Sequence, residues 1–256
     1  MTITSTTTVR LLVDPPASGP WNMAVDETLL ESAAETGVAT LRFYRWDCPT
    51  LSLGYFQRAA DRNQHSESGD CPLVRRSSGG GAIVHDHELT YSLATAKPHA
   101  LGCQTSAIYD AMHQTLIDAL ATFGVTARLC TSKPYKSTRA PESSEPLLCF
   151  QRRSVGDVLV NDVKICGSAQ RRRHSAILQH GSVLLNTSAA APQLSGLNDL
   201  TGINIDFEDL LNAWLRRLTT SLSAEFQSAP LTASERARAT QTEESKHTCA
   251  EWLHRC

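Results

Sequence analysis

The sequence predicts an α/β or α+β fold, and three observations carry that prediction. Short runs with strand-like alternation recur from Val9 to Leu185. Two long stretches, around Ile108–Phe123 and Phe207–Leu218, instead repeat their apolar residues at helical spacing. The chain has 256 residues, 41% hydrophobic and 20% charged, enough for one large packed domain or one with a small appendage.

Each element has a local reason. Val9 to Val13 reads as a strand, broken by the run from Pro15 to Pro20. A helix follows, capped by Ser18 or Asn22, with Val25, Leu29, Leu30 and Ala33 inward and Gly37 closing it. Leu41–Trp46 and Thr50–Tyr55 are strands, and Arg58–Asp70 is a polar loop. Leu73 to Asp86 reads as a strand, a tight loop at Gly79-Gly80-Gly81 and a strand, returning as Leu89–Ala94. Thr105 or Ser106 opens a helix with Ile108, Tyr109, Met112, Leu116, Leu120 and Phe123 inward, and Gly124 ends it. A strand at Val125–Leu129 leads into a mobile polar loop, Ser132 to Pro146. Then come a hairpin from Asp157 to Cys166, a basic turn at Arg171–Arg173 and a strand at Ala176–Leu185. Asp206 caps the last amphipathic helix, with Phe207, Leu210, Leu211, Trp214, Leu215 and Leu218 inward. From Thr232 on, a polar, loosely packed helical tail is expected, so residues 1–228 form one domain and 229–256 its tail.

Composition narrows the function. Lys+Arg 24 against Asp+Glu 26 creates no global field for nucleic acid or membrane. Eight cysteines contain no Cys-x-x-Cys pair, which disfavours zinc ribbons and redox dithiols. Met1 to Val9 lacks the pattern of a secretory signal, and no apolar run reaches membrane-spanning length. A cytoplasmic protein with reduced thiols is the expectation.

The hairpin is the most informative stretch. Asn161 and Asp162 tolerate the positive φ of a two-residue turn. Val158, Val160, Val163 and Ile165 then share one face, and Leu159, Lys164 and Cys166 the other. An ammonium on that half-apolar face must find an anion, reach solvent or discharge. Just upstream stands Cys149, between Leu147, Leu148 and Phe150, a candidate thiolate partner. Cys166 has the better claim to plain sheet packing, and Lys164 alone reads as a snorkelling surface lysine.

The glycine triplet lets backbone amides approach a ligand, and Arg75 and Arg76 beside it can fork onto a carboxylate, phosphate or carbonyl. Its strand-loop-strand setting lacks the helix and spacing of a dinucleotide or P-loop site. His85 beside Asp86 is either a catalytic pair or, more simply, a core histidine beside a turn-capping carboxylate. His180, ahead of Gly181-Ser182, is ambiguous, and Arg171–Arg173 read more readily as a solvated turn than as a docking patch.

Arg75 to Asp86 resembles the acyl-binding signature of the lipoate–protein ligase, octanoyltransferase and biotin ligase superfamily. Lys164-Ile165-Cys166-Gly167-Ser168-Ala169-Gln170 is similar to that superfamily's lysine strand, and Ile177 to Ser182 to its next strand. Gly19 to Glu27 is similar to the first helix of the lipoate branch, so the resemblance runs over roughly residues 19–225. It implies an α/β (α+β) fold: a mixed, mainly antiparallel sheet flanked by helices.

Within the superfamily, Cys149-Phe150 before the lysine hairpin resembles the thiol-dependent octanoyltransferases. That branch implies octanoyl transfer from acyl carrier protein to a lysine of a lipoyl carrier domain, such as glycine cleavage H protein or a 2-oxoacid dehydrogenase subunit. It implies Cys149 as nucleophile and Lys164 as its proton partner, with no cofactor or metal and a monomeric enzyme. Substrate contacts fall on Arg76, Gly80, Gly81, Ala82, Ile83 and His85, then Gly167, Ser168, Ala169, His180 and Gly181. Arg152, Arg153 and Arg171–Arg173 are expected to dock acidic carriers. An ATP-dependent lipoate ligase, an amidotransferase between lipoyl domains and a non-catalytic acyl-binding protein remain as alternatives.

Overall fold

The computed structural model describes residues 7–97, 105–131 and 146–255. The first half comprises β1 (Thr7–Val13), α1 (Gly19–Thr36), β2 (Thr40–Tyr44), β3 (Thr50–Leu53), β4 (Leu73–Arg75), β5 (Ile83–His85), β6 (Glu88–Ala96) and α2 (Thr105–Leu120). Next come β7 (Ala127–Leu129), β8 (Val158–Val160), β9 (Val163–Arg173) and β10 (Ala176–Leu184). The chain closes with α3 (Leu197–Thr201), α4 (Phe207–Leu222), β11 (Ala224–Ser228), α5 (Ala233–Thr242) and α6 (Ala250–Leu253).

Local chemistry sets the helix ends. The Ser18 side chain accepts from the Trp21 N–H, and Gly37 closes α1 in the left-handed region at φ 75°. Asp206 caps α4 in the same way by accepting from the Asp209 N–H. No helix among the described residues is long and apolar enough to cross a membrane.

Eight strands form one sheet in the order β11-β1-β2-β6-β10-β9-β8-β7. The pairs β11–β1 and β1–β2 are parallel and the remainder antiparallel, so the sheet is mixed and mainly antiparallel. Adjacent residues of β6 serve opposite faces: Leu93 joins the core under α2 and α4, and Ala94 packs beneath α1 and α5. Trp214 sets the first core by packing edge-on to Phe43 and Tyr91 at 5.7 and 5.0 Å.

The structure departs from the expected pattern in four places. First, β4 and β5 do not form a hairpin; they flank β3 in a small separate sheet, β4 parallel and β5 antiparallel to it. A parallel neighbour needs a crossover, and residues 54–72 supply it. Arg58–Asp70 accordingly contains two 3₁₀ turns, Ala59–Gln64 and Ser66–Ser68. Second, the arginines 171–173 extend β9, and the turn falls at His174, at φ 50°.

Third, the segment after Thr232 packs firmly. Ala239 is fully buried against α1, and Lys246 and His247 reach Glu27 at 2.6 and 3.2 Å. Burial would raise the Glu27 carboxyl, but His247 and Lys246 take it down to about 2. The Arg75 guanidinium donates to the Trp252 and Leu253 carbonyls and, on its other side, to those of Gly54, Tyr55 and Gln57.

Fourth, β9 carries a bulge opposite Val158: Leu159 pairs with Lys164, whereas Val158 pairs with Cys166. One extra residue flips the side chains beyond it. Cys166 therefore joins Val158 in the core and does not share the face of Leu159 and Lys164. The hairpin turn itself is as expected, with Asn161 at φ 48° and Asp162 at φ 63°. The expected loop falls outside the described residues at 132–145.

Candidate active site

Leu147 and Leu148 sink into the core of the small sheet beside Leu51, Leu53 and Val84. Their backbone bridges the glycine loop: the Ala82 N–H donates to Leu147 O at 3.0 Å, and the Cys149 N–H to Ala82 O at 2.7 Å. Cys149, half-buried on the short turn Cys149–Gln151, is thereby held against the loop. Gly81 packs closely at this crossing: a Cβ there would meet the Arg152 guanidinium and lie 3.1 Å from Leu147 O. Gly80 sits at φ 96°, a conformation that favours glycine.

Lys164 comes from the opposite side, on β9. Its Nζ lies 3.6 Å from Cys149 Sγ and 2.9 Å from Asp157 Oδ2. Both charged residues are buried, Lys164 at 5% and Asp157 at 2% exposure. Burial alone would discharge the ammonium. Negative charge at Cys149 and at Asp157 outweighs it and holds Lys164 above its ordinary value. Asp157 is in turn fixed by its turn: the Ser154 N–H donates to Oδ2 at 2.6 Å, and the Cys130 N–H to Asp157 O at 2.7 Å. His113 Nδ1, 2.6 Å from Gly156 O, holds the preceding residue.

Past the bulge, Gly167 returns to the lysine face. A Cβ there would lie 2.6 Å from Lys164 Cε and 2.7 Å from Nζ, so only glycine leaves room for the ammonium. Cys166 points away, with no exposed surface, and burial pushes its thiol far up. Of these two cysteines, Cys149 is the one that combines access with a buried cation.

A cavity of about 500 Å³, part of it open to solvent, lies between the glycine loop, β9 and β10. Met23, Tyr44, Ile83 and Phe150 supply an apolar wall, and Cys149 opens onto it. Of the sequence candidates, Arg76, Gly80, His85, Gly167, Ser168, Ala169, His180 and Gly181 also line it. Gly81 and Ala82 instead hold the loop against Leu147 and Cys149.

Arg76 binds the protein itself: Nη1 donates to Ser52 O and Nη2 to Gly81 O, both at 2.8 Å. It braces the glycine loop through carbonyls. His85 does not pair with Asp86, which accepts from Ser188. Its Nδ1 lies 2.6 Å from Glu88 Oε1, its Nε2 2.6 Å from Ser52 Oγ, and its ring stacks on Trp46. It is a core histidine at the cavity wall. His180 bridges Ser78 and Asp26, at 2.5 Å from Nε2 and 3.3 Å from Nδ1.

The lipoyl protein ligase A/B catalytic domain model matches residues 18–239. The chain belongs to that family. Octanoyltransferase LipM of Kyrpidia tusciae is 34% identical over 97% of this chain and 99% of its own. Octanoyltransferase LipM of Geobacillus kaustophilus is 30% identical over 93% and 94%. With octanoyltransferases matched along nearly the full length of both chains, this family member is an acyltransferase. Its fold is shared by lipoate-protein ligase A bound with ATP, at TM-score 0.76, 23% identity and coverage of 97% and 99%. The bi-partite lipoate protein ligase of Thermoplasma acidophilum, described with its E2 lipoyl domain, gives 0.76 at 21%, covering 97% and 96%. At these identities the structural likeness concerns the fold alone.

The sequence reading of this family site overlooked Asp157, His113 and the Asp26–His180 contact. Asp157 had a usable signal, since a lysine on a half-apolar strand requires an anion. The bulge that brings the two together has no signature in residue type. His113 sits at helical spacing from Tyr109 and Leu116 and reads there as an ordinary helix position.

Proposed function

We propose that this chain transfers an octanoyl group from octanoyl-acyl carrier protein to a lysine of a lipoyl carrier domain, through a thioester on Cys149. The observation that carries this reading is the Cys149 thiol 3.6 Å from a buried ammonium, at the wall of an apolar cavity. Octanoyl transfer is also the activity named for relatives matched along the whole chain.

In the first half-reaction the Cys149 thiolate attacks the carrier thioester. The glycine loop receives the acyl carbonyl near Gly80 and Gly81, and Met23, Ile83 and Phe150 receive its tail. The tetrahedral intermediate collapses with cleavage of the bond to the carrier sulfur, which leaves as a thiol with the proton of Lys164. In the second half-reaction the acceptor amine attacks the Cys149 thioester. An amide is more stable than a thioester, so the exchange needs no ATP. Asp157 keeps Lys164 in place throughout.

Intact-mass measurement after incubation with octanoyl-acyl carrier protein, without ATP, tests the scheme. An octanoyl adduct that disappears in Cys149→Ser is expected. No adduct, with activity only when lipoate and ATP are supplied and pyrophosphate is released, would replace this reading by a ligase. Loading from an octanoylated lipoyl domain but not from acyl carrier protein would identify an amidotransferase.

A further inference from the structure

Aminolysis of the thioester has a proton balance that Cys149 and Lys164 do not close between them. The acceptor lysine arrives as an ammonium, since its ordinary pKa is about 10.4, and its nitrogen must lose two protons to become an amide. Cys149 departs as a thiolate and takes neither. Lys164, having given its proton to the first carrier thiol, takes one back as the sulfur regains its charge. A second acceptor is needed at the cavity.

We propose that His180, oriented by Asp26 and joined to Ser78, takes that second proton during transfer to the acceptor amine. This rests on the thioester reading above. The C–N bond forms, the C–S bond breaks with its electron pair going to the Cys149 sulfur, one proton passes to Lys164 and one to His180. The imidazolium then releases its proton to solvent.

The geometry of His180 suits the role. It lines the same cavity as Cys149. Its Nδ1 faces the Asp26 carboxylate, so that nitrogen carries hydrogen and Nε2 presents a lone pair toward the Ser78 hydroxyl, 2.5 Å away. Asp26 stays a carboxylate: burial would raise it, but the bond to His180 and the charge of Arg42 lower it. It also accepts from Arg42, Tyr44 and Ser92 at 3.0, 3.0 and 2.7 Å, which fixes it rigidly. A fixed carboxylate behind one imidazole nitrogen stabilises the imidazolium formed at the other. Ser78 directly precedes Gly79 and Gly80 of the cavity lining, so its hydroxyl joins Nε2 to the glycine loop.

The other titratable groups at the cavity do not fit. Arg76 remains a cation, with its pKa at about 10, and burial pushes the Tyr44 hydroxyl well up. His85, like His180, has a carboxylate at Nδ1 and a hydroxyl at Nε2, but its hydroxyl partner, Ser52, already accepts from Arg76. Burial also pushes His85 down, away from the imidazolium.

Acyl-enzyme is first formed from octanoyl-acyl carrier protein and then discharged with an apo-lipoyl domain, each step followed by rapid quench. His180→Ala is expected to transfer about 100-fold more slowly, with a much smaller loss in acylation. Added imidazole should restore part of that loss. Hydroxylamine, unprotonated at neutral pH, should discharge the variant as fast as the parent. Transfer at the parent rate would overturn the proposal, and so would an equal loss in acylation and hydroxylamine discharge, which marks a scaffold. If His180→Ala fails to fold, Ser78→Ala carries the test, slowing transfer alone. An acyl-enzyme absent from the parent itself sinks the thioester reading with it.

Discussion

Cys149 and Cys166 stand on either side of one lysine, and their surroundings differ in every respect that matters to a nucleophile. Cys149 is half-buried at a cavity, 3.6 Å from an ammonium. Cys166 is enclosed in the core beside Val158, its Sγ 3.9 Å from His113 Nε2, and its thiol resists ionisation. Lys164 is only two residues from Cys166 in sequence and fifteen from Cys149. The bulge takes Cys166 off the face it would share with Lys164 by strict alternation. Contact with the ammonium here follows from which side of a strand a side chain leaves, more than from its distance along the chain.

The largest effect that sharpens this comparison is removal of the proposed nucleophile. Cys149→Ala should lower octanoyl transfer by about 10⁴-fold or more and abolish the adduct, as losing a nucleophile does elsewhere. Normal transfer in that variant would end the distinction between the two cysteines. Gly167→Ala comes next. Its methyl must displace the Lys164 ammonium, and a shift on the order of 1 Å costs about 100-fold in rate. Thiol-adduct kinetics at Cys149 should slow in the same variant.

Asp157→Asn leaves Lys164 buried without its counter-charge and should cost about 3 kcal/mol of stability in urea titrations. The pH dependence has a definite sign. Lys164 is raised above its ordinary value of 10.5 in the folded state, so its contribution is complete below that pH. It is lost only as pH rises through the folded value, and the gap between parent and variant should close there. A gap that instead widens at alkaline pH would contradict the ion pair. The smallest effect is that of Cys166→Ala: about 1–2 kcal/mol from lost packing, with transfer unchanged. A large loss of activity there would place Cys166 back beside Lys164.

Much of the framework was legible before any coordinates. Ser18 and Gly37 bound α1, Asp206 starts α4, and Asn161-Asp162 turns the hairpin, because caps and turns depend on a few adjacent residues. Strand pairing was less legible. Leu73–Arg75 and Ile83–His85 look like arms of one hairpin, yet each pairs with β3, because hydrogen-bond partners are chosen by the whole sheet. The polar tail looked loose because its anchors are ion pairs and backbone carbonyls, to Glu27 and Arg75, rather than an apolar stripe.

The sequence by itself determined the inventory of the site: a cysteine among apolar residues, a lysine on a strand, a glycine loop between arginines, and a histidine before Gly181. It did so through local rules and through the order of its motifs. Only the tertiary structure decided which groups meet. The Ala82–Leu148 bridge brings Cys149 to the loop, the bulge turns Lys164 toward it and Cys166 away, and Asp157 keeps the lysine charged. Those contacts join residues far apart in the chain, and a one-residue change of register costs little locally while reversing which side chains face each other.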